Sequence, residues 1–220
     1  MANRPVFISN TNIVGYVEEK KIDFAWFPGL SKSQKQKSIE SLHNAFIQDY
    51  PVVKVLEISS KSLQPIGVEL SAFNLMFSYQ NATFNVETAF QSSKVFESGG
   101  PFLDLLNKSA REAKADERLK NSGKLVQFVF YGQKWPLEPK TAFYDWLYLN
   151  AVSQNGELAN QIMEYSAFTD IEFNPQKSIN CQARSAALFV SLKRMGILEN
   201  ALNAPEEFLK VYKSKSSPQI

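Results

Sequence analysis

"FNVETAFQSSKVF", residues 84–96, decides how the chain is read. Wound at 3.6 residues per turn, it puts Glu87, Phe90, Gln91 and Lys94 on one side, at i, i+3, i+4 and i+7. Those spacings ordinarily carry a buried apolar stripe. Here three of the four are polar and two bear opposite charge. Val86, Ala89, Val95 and Phe96 leave little of this helix, drawn over residues 86–96, for water. A polar row with apolar flanks is what a cleft wall looks like. The competing reading is an exposed charge ladder worth a few tenths of a kcal/mol. "ESGGP" (97–101) ends the helix with two glycines and a proline.

Upstream, "RPVFIS" and "KKIDFAWF" read as strands, and Pro28–Gly29 breaks the chain before a helix capped by Ser31 or Ser33 and running to Gln48. "PVVKVLEISS" reads as a strand, and residues 62–83 as a loop, a short strand and a hairpin around Gln80 and Asn81. Downstream, Ser109 and Glu112 form a capping box for a helix to Lys120, closed by Gly123. "KLVQFVFYGQKW" reads as a strand and "PKTAFYDWLYLNAVSQ" as a helix. The last long helix lies in "QARSAALFVSLKRMG", capped by Ser178 or Asn180 and ended by Gly196. "APEEFLKVYK" suits a short terminal helix, and "SKSSPQI" a frayed end. The expectation is one α+β chain: a β-rich N-terminal extension (1–63), a helix-dominated core (64–200) and a C-terminal tail (201–220).

The 220 residues are 44% hydrophobic and 21% charged, an ordinary globular balance. A net charge of +2 announces no nucleic-acid partner, yet leaves room for a local basic groove. The lone Cys181 allows no intrachain disulfide, the opening residues lack signal-peptide character, and no apolar run approaches a membrane span. A cytoplasmic location is expected. His43 is the single histidine, so two-histidine metal motifs are excluded. Beside Ile39, Leu42 and Phe46 it reads as a hydrogen-bonded core histidine rather than a catalytic one. Neither a P-loop nor a G-x-G-x-x-G occurs, so a phosphate site must be built from side chains and helix ends. No metal or cofactor is called for.

Three further clusters carry chemistry. Arg111, Lys114, Arg118 and Lys120, mixed with acids, read mainly as a solvated helix, with one arginine free to clamp phosphate. Trp135, between a lysine and a proline, suits either a half-buried anchor or a ligand stack. Asp170, Glu172, Asn174 and Gln182 crowd a loop before a helix N-terminus, a ready anion site.

"LSAFNLMF", "FNVETAFQSSKVF", "SAREAKADER", "KW" and "NCQAR", in that order, resemble the NADAR superfamily over about residues 64–196. "WFPGLSKSQKQKSIESLH", "ERLKNSGKLVQFVFYGQKWPLEPKTAFYDWLY" and "DIEFNPQKSINCQARSAALFVSLKRMG" are similar to the NADAR antitoxins paired with DarT-type toxins, over nearly the whole chain.

The resemblance implies a NADAR domain and a hydrolase. DarT-type toxins attach ADP-ribose to a DNA base, guanine in the branch countered by NADAR proteins. The antitoxin would cleave that N-glycosidic bond in single-stranded DNA, releasing ADP-ribose. A counter-defence protein removing the same mark would look alike. Glu87, Gln91 and Lys94 fall on the family's signature helix, Trp135 on its tryptophan, Asp170 on its late acid without the preceding glycine, and Phe73 in its serine-and-phenylalanine stretch. Glu87 is expected to stabilise charge at the anomeric carbon, and Lys94 to attack the opened sugar or clamp it, with Lys35 and Lys37 in reserve. Asp170 is the third catalytic candidate. Phe73, Gln91, Arg118, Trp135, Gln182 and Arg184 are the substrate-binding candidates: Trp135 stacks on a base, and Arg118 with the helix start at Gln182 takes the diphosphate. The alternatives are an N-glycosidase for small ribosylated pyrimidines and a module that binds ADP-ribose, or a toxin, without hydrolysis.

Overall fold

The computed structural model describes residues 1–176 and 178–213; "SKSSPQI", read above as frayed, lies outside the described residues. The chain is α+β. Strands β1 (Ala2–Ser9) and β2 (Val17–Phe24) form a hairpin, followed by helix α1 (Lys32–Asp49), strand β3 (Val55–Glu57) and helix α2 (Pro65–Glu69). A second hairpin, β4 (Met76–Tyr79) and β5 (Ala82–Asn85), leads into α3 (Val86–Ser92) and β6 (Lys94–Phe96). Helices α4 (Ala110–Ala115) and α5 (Arg118–Asn121) precede β7 (Leu125–Phe130) and β8 (Gln133–Trp135). Then come α6 (Ala142–Gln154), α7 (Gly156–Gln161), β9 (Ala167–Thr169), α8 (Gln182–Arg194), α9 (Leu198–Leu202) and α10 (Pro205–Lys210).

The main sheet runs β2-β1-β9-β3. Strand β9 pairs antiparallel with β1 (Phe7↔Phe168) and parallel with β3 (Glu57↔Thr169), so the N-terminal strands enclose a strand from late in the chain. Helix α1, capped by Ser31, brings Ile39, Leu42 and Phe46 (i, i+3, i+7) against Val6, Phe24 and Ala167. Each such side chain, removed from water, contributes roughly 1.5–3 kcal/mol. Helix α8 packs against β1 and β9. The larger core gathers Phe77, Phe130, Trp135, Phe143 and Trp146 in tilted and edge-on contacts, and Phe208 of α10 joins it.

Five expectations are corrected. The signature helix ends at Ser92, capped by Ser93. The hydroxyls of Ser92 and Ser93 turn back onto the Ala89 carbonyl (3.0 and 2.7 Å). Lys94–Phe96 leaves as a strand because Val95 and Phe96 pair with β7. The helix expected over 109–120 breaks at Asp116, whose carboxylate accepts the Arg118 amide (3.0 Å) and starts a new turn. The strand expected over 124–135 is a hairpin, turning at Tyr131 and Gly132 with φ of 48° and 79°. The expected loop before the β4–β5 hairpin contains α2. Finally, Cys181 rather than Ser178 or Asn180 stands at the N-cap of α8, with no side-chain cap.

Candidate active site

All seven residues of α3 are buried, so its polar row has no solvent side by default. Asn85 caps the helix by accepting from the Thr88 amide (2.8 Å). Gln91 Nε2 then donates to Glu87 Oε1 at 2.8 Å, while Gln91 Oε1 accepts from Lys94 Nζ at 2.7 Å. One amide thus holds an acid and an amine in series. All three line an open cleft of about 820 Å³, together with Phe73, Phe90, Tyr144 and Asp170. That volume lies within the ~300–1,000 Å³ usual for small-ligand sites.

Burial lowers the Lys94 ammonium to about 8; the Glu87 carboxylate opposes the shift and the Lys114 charge adds to it. About a tenth of the Lys94 amines are then neutral at pH 7. The amine lies 4.8 Å over the Phe90 ring, a second contact for the tip.

Asp170, which directly follows β9, lines the same cleft. Its Oδ1 accepts the amides of Glu172 and Phe173 (3.0 and 3.1 Å), and its Oδ2 accepts Gln182 Nε2 (3.0 Å). Behind it lies the wholly buried Glu57, which takes Ser59 Oγ (2.7 Å), Thr169 Oγ1 (2.6 Å) and the Ile171 amide (2.8 Å). Burial raises both carboxyls; the Glu57 charge raises Asp170 further, and the Glu172 charge adds to the rise at Glu57. Each carboxyl takes three donors, but those to Glu57 are shorter (2.6–2.8 Å against 3.0–3.1 Å), so Glu57 is the better place for the charge and Asp170 carries the proton of the pair. His43 joins this network from α1. Because Thr169 spends its hydrogen on Glu57, His43 Nε2–H is the donor to Thr169 Oγ1 (2.9 Å). Burial lowers the imidazole to about 4, so it is neutral at pH 7.

The fold brings together Phe73, Glu87, Gln91, Lys94, Asp170 and Gln182, all along the cleft. It does not bring Trp135, Arg118 or Arg184 there. Trp135 is 1% exposed, packed on Phe143 and Trp146 and cross-strand from Phe128, the ring that does reach the cleft. Arg118 grips Asp104 with both terminal nitrogens (3.1 and 2.7 Å) and Asp116 through Nε (2.8 Å). Its donors are already committed, and its neighbours Leu119 and Lys120 line the cleft instead. Arg184 donates to the buried Asp145 (2.6 Å), which Ser185 and Tyr212 also reach, and so ties α8 to α6 and the C-terminal turn.

Gln182 lines the cleft, but its amide is spent on protein: it accepts the Ala72 amide (2.8 Å) and donates to Ile58 O (2.7 Å) and Asp170. It positions Asp170. Of the reserve lysines, Lys35 pairs with Glu172 at the rim (3.1 Å) and lies over Trp26, while Lys37 is exposed and lines neither cavity.

Lys114, read from the sequence as part of a solvated helix, Asn180, read as a helix cap, and Tyr144, not singled out, complete the site. Lys114 Nζ approaches Glu87 Oε1 (3.6 Å) and the Phe73 ring (5.2 Å). Tyr144 lines the cleft with no hydrogen bond to its hydroxyl among the described residues, whereas Tyr148, one turn on, donates to Leu70 O (2.8 Å). The Asn180 Oδ1 atom is buried at the cleft without a donor. The one sequence signal for Tyr144 was a helix apolar on every face, on which a phenol hydroxyl has to find a polar outlet.

Comparison with known proteins adds one match. The family model NADAR-DarT1, described as DarT1-associated NADAR antitoxin, matches residues 2–219. No curated protein matches the chain.

Proposed function

Because the chain belongs to the DarT1-associated NADAR antitoxin family, we propose that it hydrolyses the N-glycosidic bond joining ADP-ribose to guanine in DNA, reversing a DarT-type modification. The observation that carries this reading is the Glu87–Gln91–Lys94 series on a cleft wall, with Asp170 lining the same cleft.

Breaking a ribosyl–nitrogen bond draws positive charge onto the anomeric carbon, and Glu87 is a fixed carboxylate for that charge. Lys94 supplies the nucleophile. Ring opening breaks the bond from the anomeric carbon to the ring oxygen, which takes a proton, and leaves that carbon doubly bonded to the guanine nitrogen. The neutral amine adds there, and the bond to guanine then breaks as the base nitrogen takes a proton, leaving a lysine imine. Water then hydrolyses the lysine imine, regenerating the amine and releasing ADP-ribose. Asp170, holding a proton at neutral pH, is the donor to the departing base. Asn180 Oδ1 offers an acceptor to a sugar hydroxyl or an amino group of the ligand.

The test is release of ADP-ribose from an ADP-ribosylated single-stranded oligonucleotide. Wild type should release it and Glu87→Gln should lose the activity by at least ~10²-fold. Binding of ADP-ribose without release would make the chain a reader module. Cleavage confined to small ribosylated pyrimidines would make it a metabolite glycosidase. Either outcome overturns the proposal.

A further inference from the structure

A second cavity, of about 600 Å³, adjoins the cleft and shares Phe73, Lys114, Glu172 and Gln182 with it. Its charge is one-sided. Lys61, Arg111 and Lys114 line it, and its single carboxylate, Glu172, is already paired with Lys35 at 3.1 Å. Lys61 and Arg111 make no ion pair among the described residues. Lys114 is turned to the junction, toward Glu87 and over the Phe73 ring. Two free cations therefore face outward, and a third marks the ridge where the cavities meet beside Glu87.

We propose that this second cavity holds the phosphodiester backbone of the single strand that carries the modified base, with Lys61 and Arg111 as its phosphate contacts. The inference rests on the hydrolase reading above. An ADP-ribosylated nucleotide is branched at the base: one anionic arm is ADP-ribose and the other is the strand. A site that cuts at the branch point needs two lobes meeting there. The larger cleft has its own cations, Lys120 and Lys140, for the ADP-ribose arm. The smaller, on the other side of Phe73, has cations and no free carboxylate. Phosphate contacts of this kind set register and leave sequence unread, as suits an enzyme that must find its mark in any context. A single strand enters without unpairing a duplex.

The test uses the full chain and the double variant Lys61→Gln/Arg111→Gln, with Lys61→Gln alone as a second variant. Thermal melting checks that each folds. Binding of unmodified fluorescein-labelled oligothymidylate is followed by anisotropy over a KCl series. ADP-ribose release is measured from a modified oligonucleotide and from the modified mononucleoside. The double variant should bind the oligonucleotide about tenfold more weakly at low salt. Its plot of log affinity against log salt should be shallower by about 1.4, at about 0.7 per lost contact. The ratio of kcat/KM for strand over nucleoside should fall about tenfold. Equal losses on both substrates would assign the cavity to the ADP-ribose arm and overturn the proposal, as would no loss on either. If wild type releases ADP-ribose from neither substrate, the hydrolase reading falls; the binding series still decides the groove, and unchanged affinity in the variant sinks it.

Discussion

Gln91 accepts a hydrogen bond from Lys94 Nζ at 2.7 Å although the two residues belong to different elements, one near the end of α3 and the other opening β6. Gln91 is neutral, so it holds the amine without adding charge, and burial is left to lower the ammonium to about 8. Gln91→Glu would put a carboxylate there and favour the charged amine. The acidic limb of kcat/KM against pH, where the amine must lose its proton to act, should then move upward by a unit or more. An unmoved limb would mean that the observed ionisation is not that of Lys94.

Lys94→Arg keeps the charge and removes the nucleophile, since a guanidinium does not deprotonate in this range. Activity should fall by at least ~10³-fold. Borohydride added during turnover should attach ADP-ribose to wild type and leave the variant unlabelled by mass spectrometry. Labelling of Lys35 or Lys114 instead would reassign the nucleophile.

Glu57 has no atom in the cleft lining, yet its charge raises Asp170. Glu57→Gln removes that charge and lowers the carboxyl of Asp170 toward its ordinary value. If Asp170 must be protonated to act, activity should be lost at lower pH than in wild type: the pH at which the acid form disappears moves down. A pH profile identical to wild type, with kcat merely scaled, would leave Glu57 a structural role only.

The His43 imidazole is lowered to about 4 from an ordinary 6.5. Between those values the unfolded chain binds the extra proton, so folding stability rises with pH across that window and is lost on acidification. The shift corresponds to roughly 3 kcal/mol. Raised carboxyls at Asp170 and Glu57 act in the opposite sense, so the measurement is a difference. His43→Gln keeps a donor for Thr169 and removes the titration. Relative to this variant, wild type should lose up to about 3 kcal/mol between pH 6.5 and pH 4 in denaturant melts.

Gly100, at φ 91°, passes directly over β6: a Cβ there would stand 2.2 Å from the Lys94 carbonyl oxygen. Gly100→Ala should cost about 2 kcal/mol or more, combining left-handed backbone strain with that collision. Because the displaced atom is in Lys94, activity per folded molecule should fall too. Activity preserved at lowered stability would show that the amine tolerates movement of its own backbone.

The sequence was informative where a local period or a short-range bond decides the structure. Helix α1 follows from Ile39, Leu42 and Phe46 behind Ser31, and the β4–β5 hairpin from its turn residues Gln80 and Asn81. Glu87, Gln91 and Lys94 were legible as one constellation because spacings of three and four bring side chains together. The grouping survives in the fold even though the helix carrying it stops at Ser92. Trp135, Arg118 and Arg184 were not legible, since residue type does not reveal which partner arrives. Trp135 is enclosed by rings from α6 and α10, Arg118 is taken by Asp104 from fourteen residues upstream, and Arg184 by Asp145 from thirty-nine. The pairing of Asp170 with Glu57 is likewise non-local. It exists because β3 and β9, more than a hundred residues apart, lie side by side and end together. The chain alone therefore determined which groups could share one helix face, a matter of geometry over a few residues. Tertiary packing decided which of them meet a cavity, which are already satisfied by the protein, and which carry a proton, because burial and long-range charge exist only in the folded state.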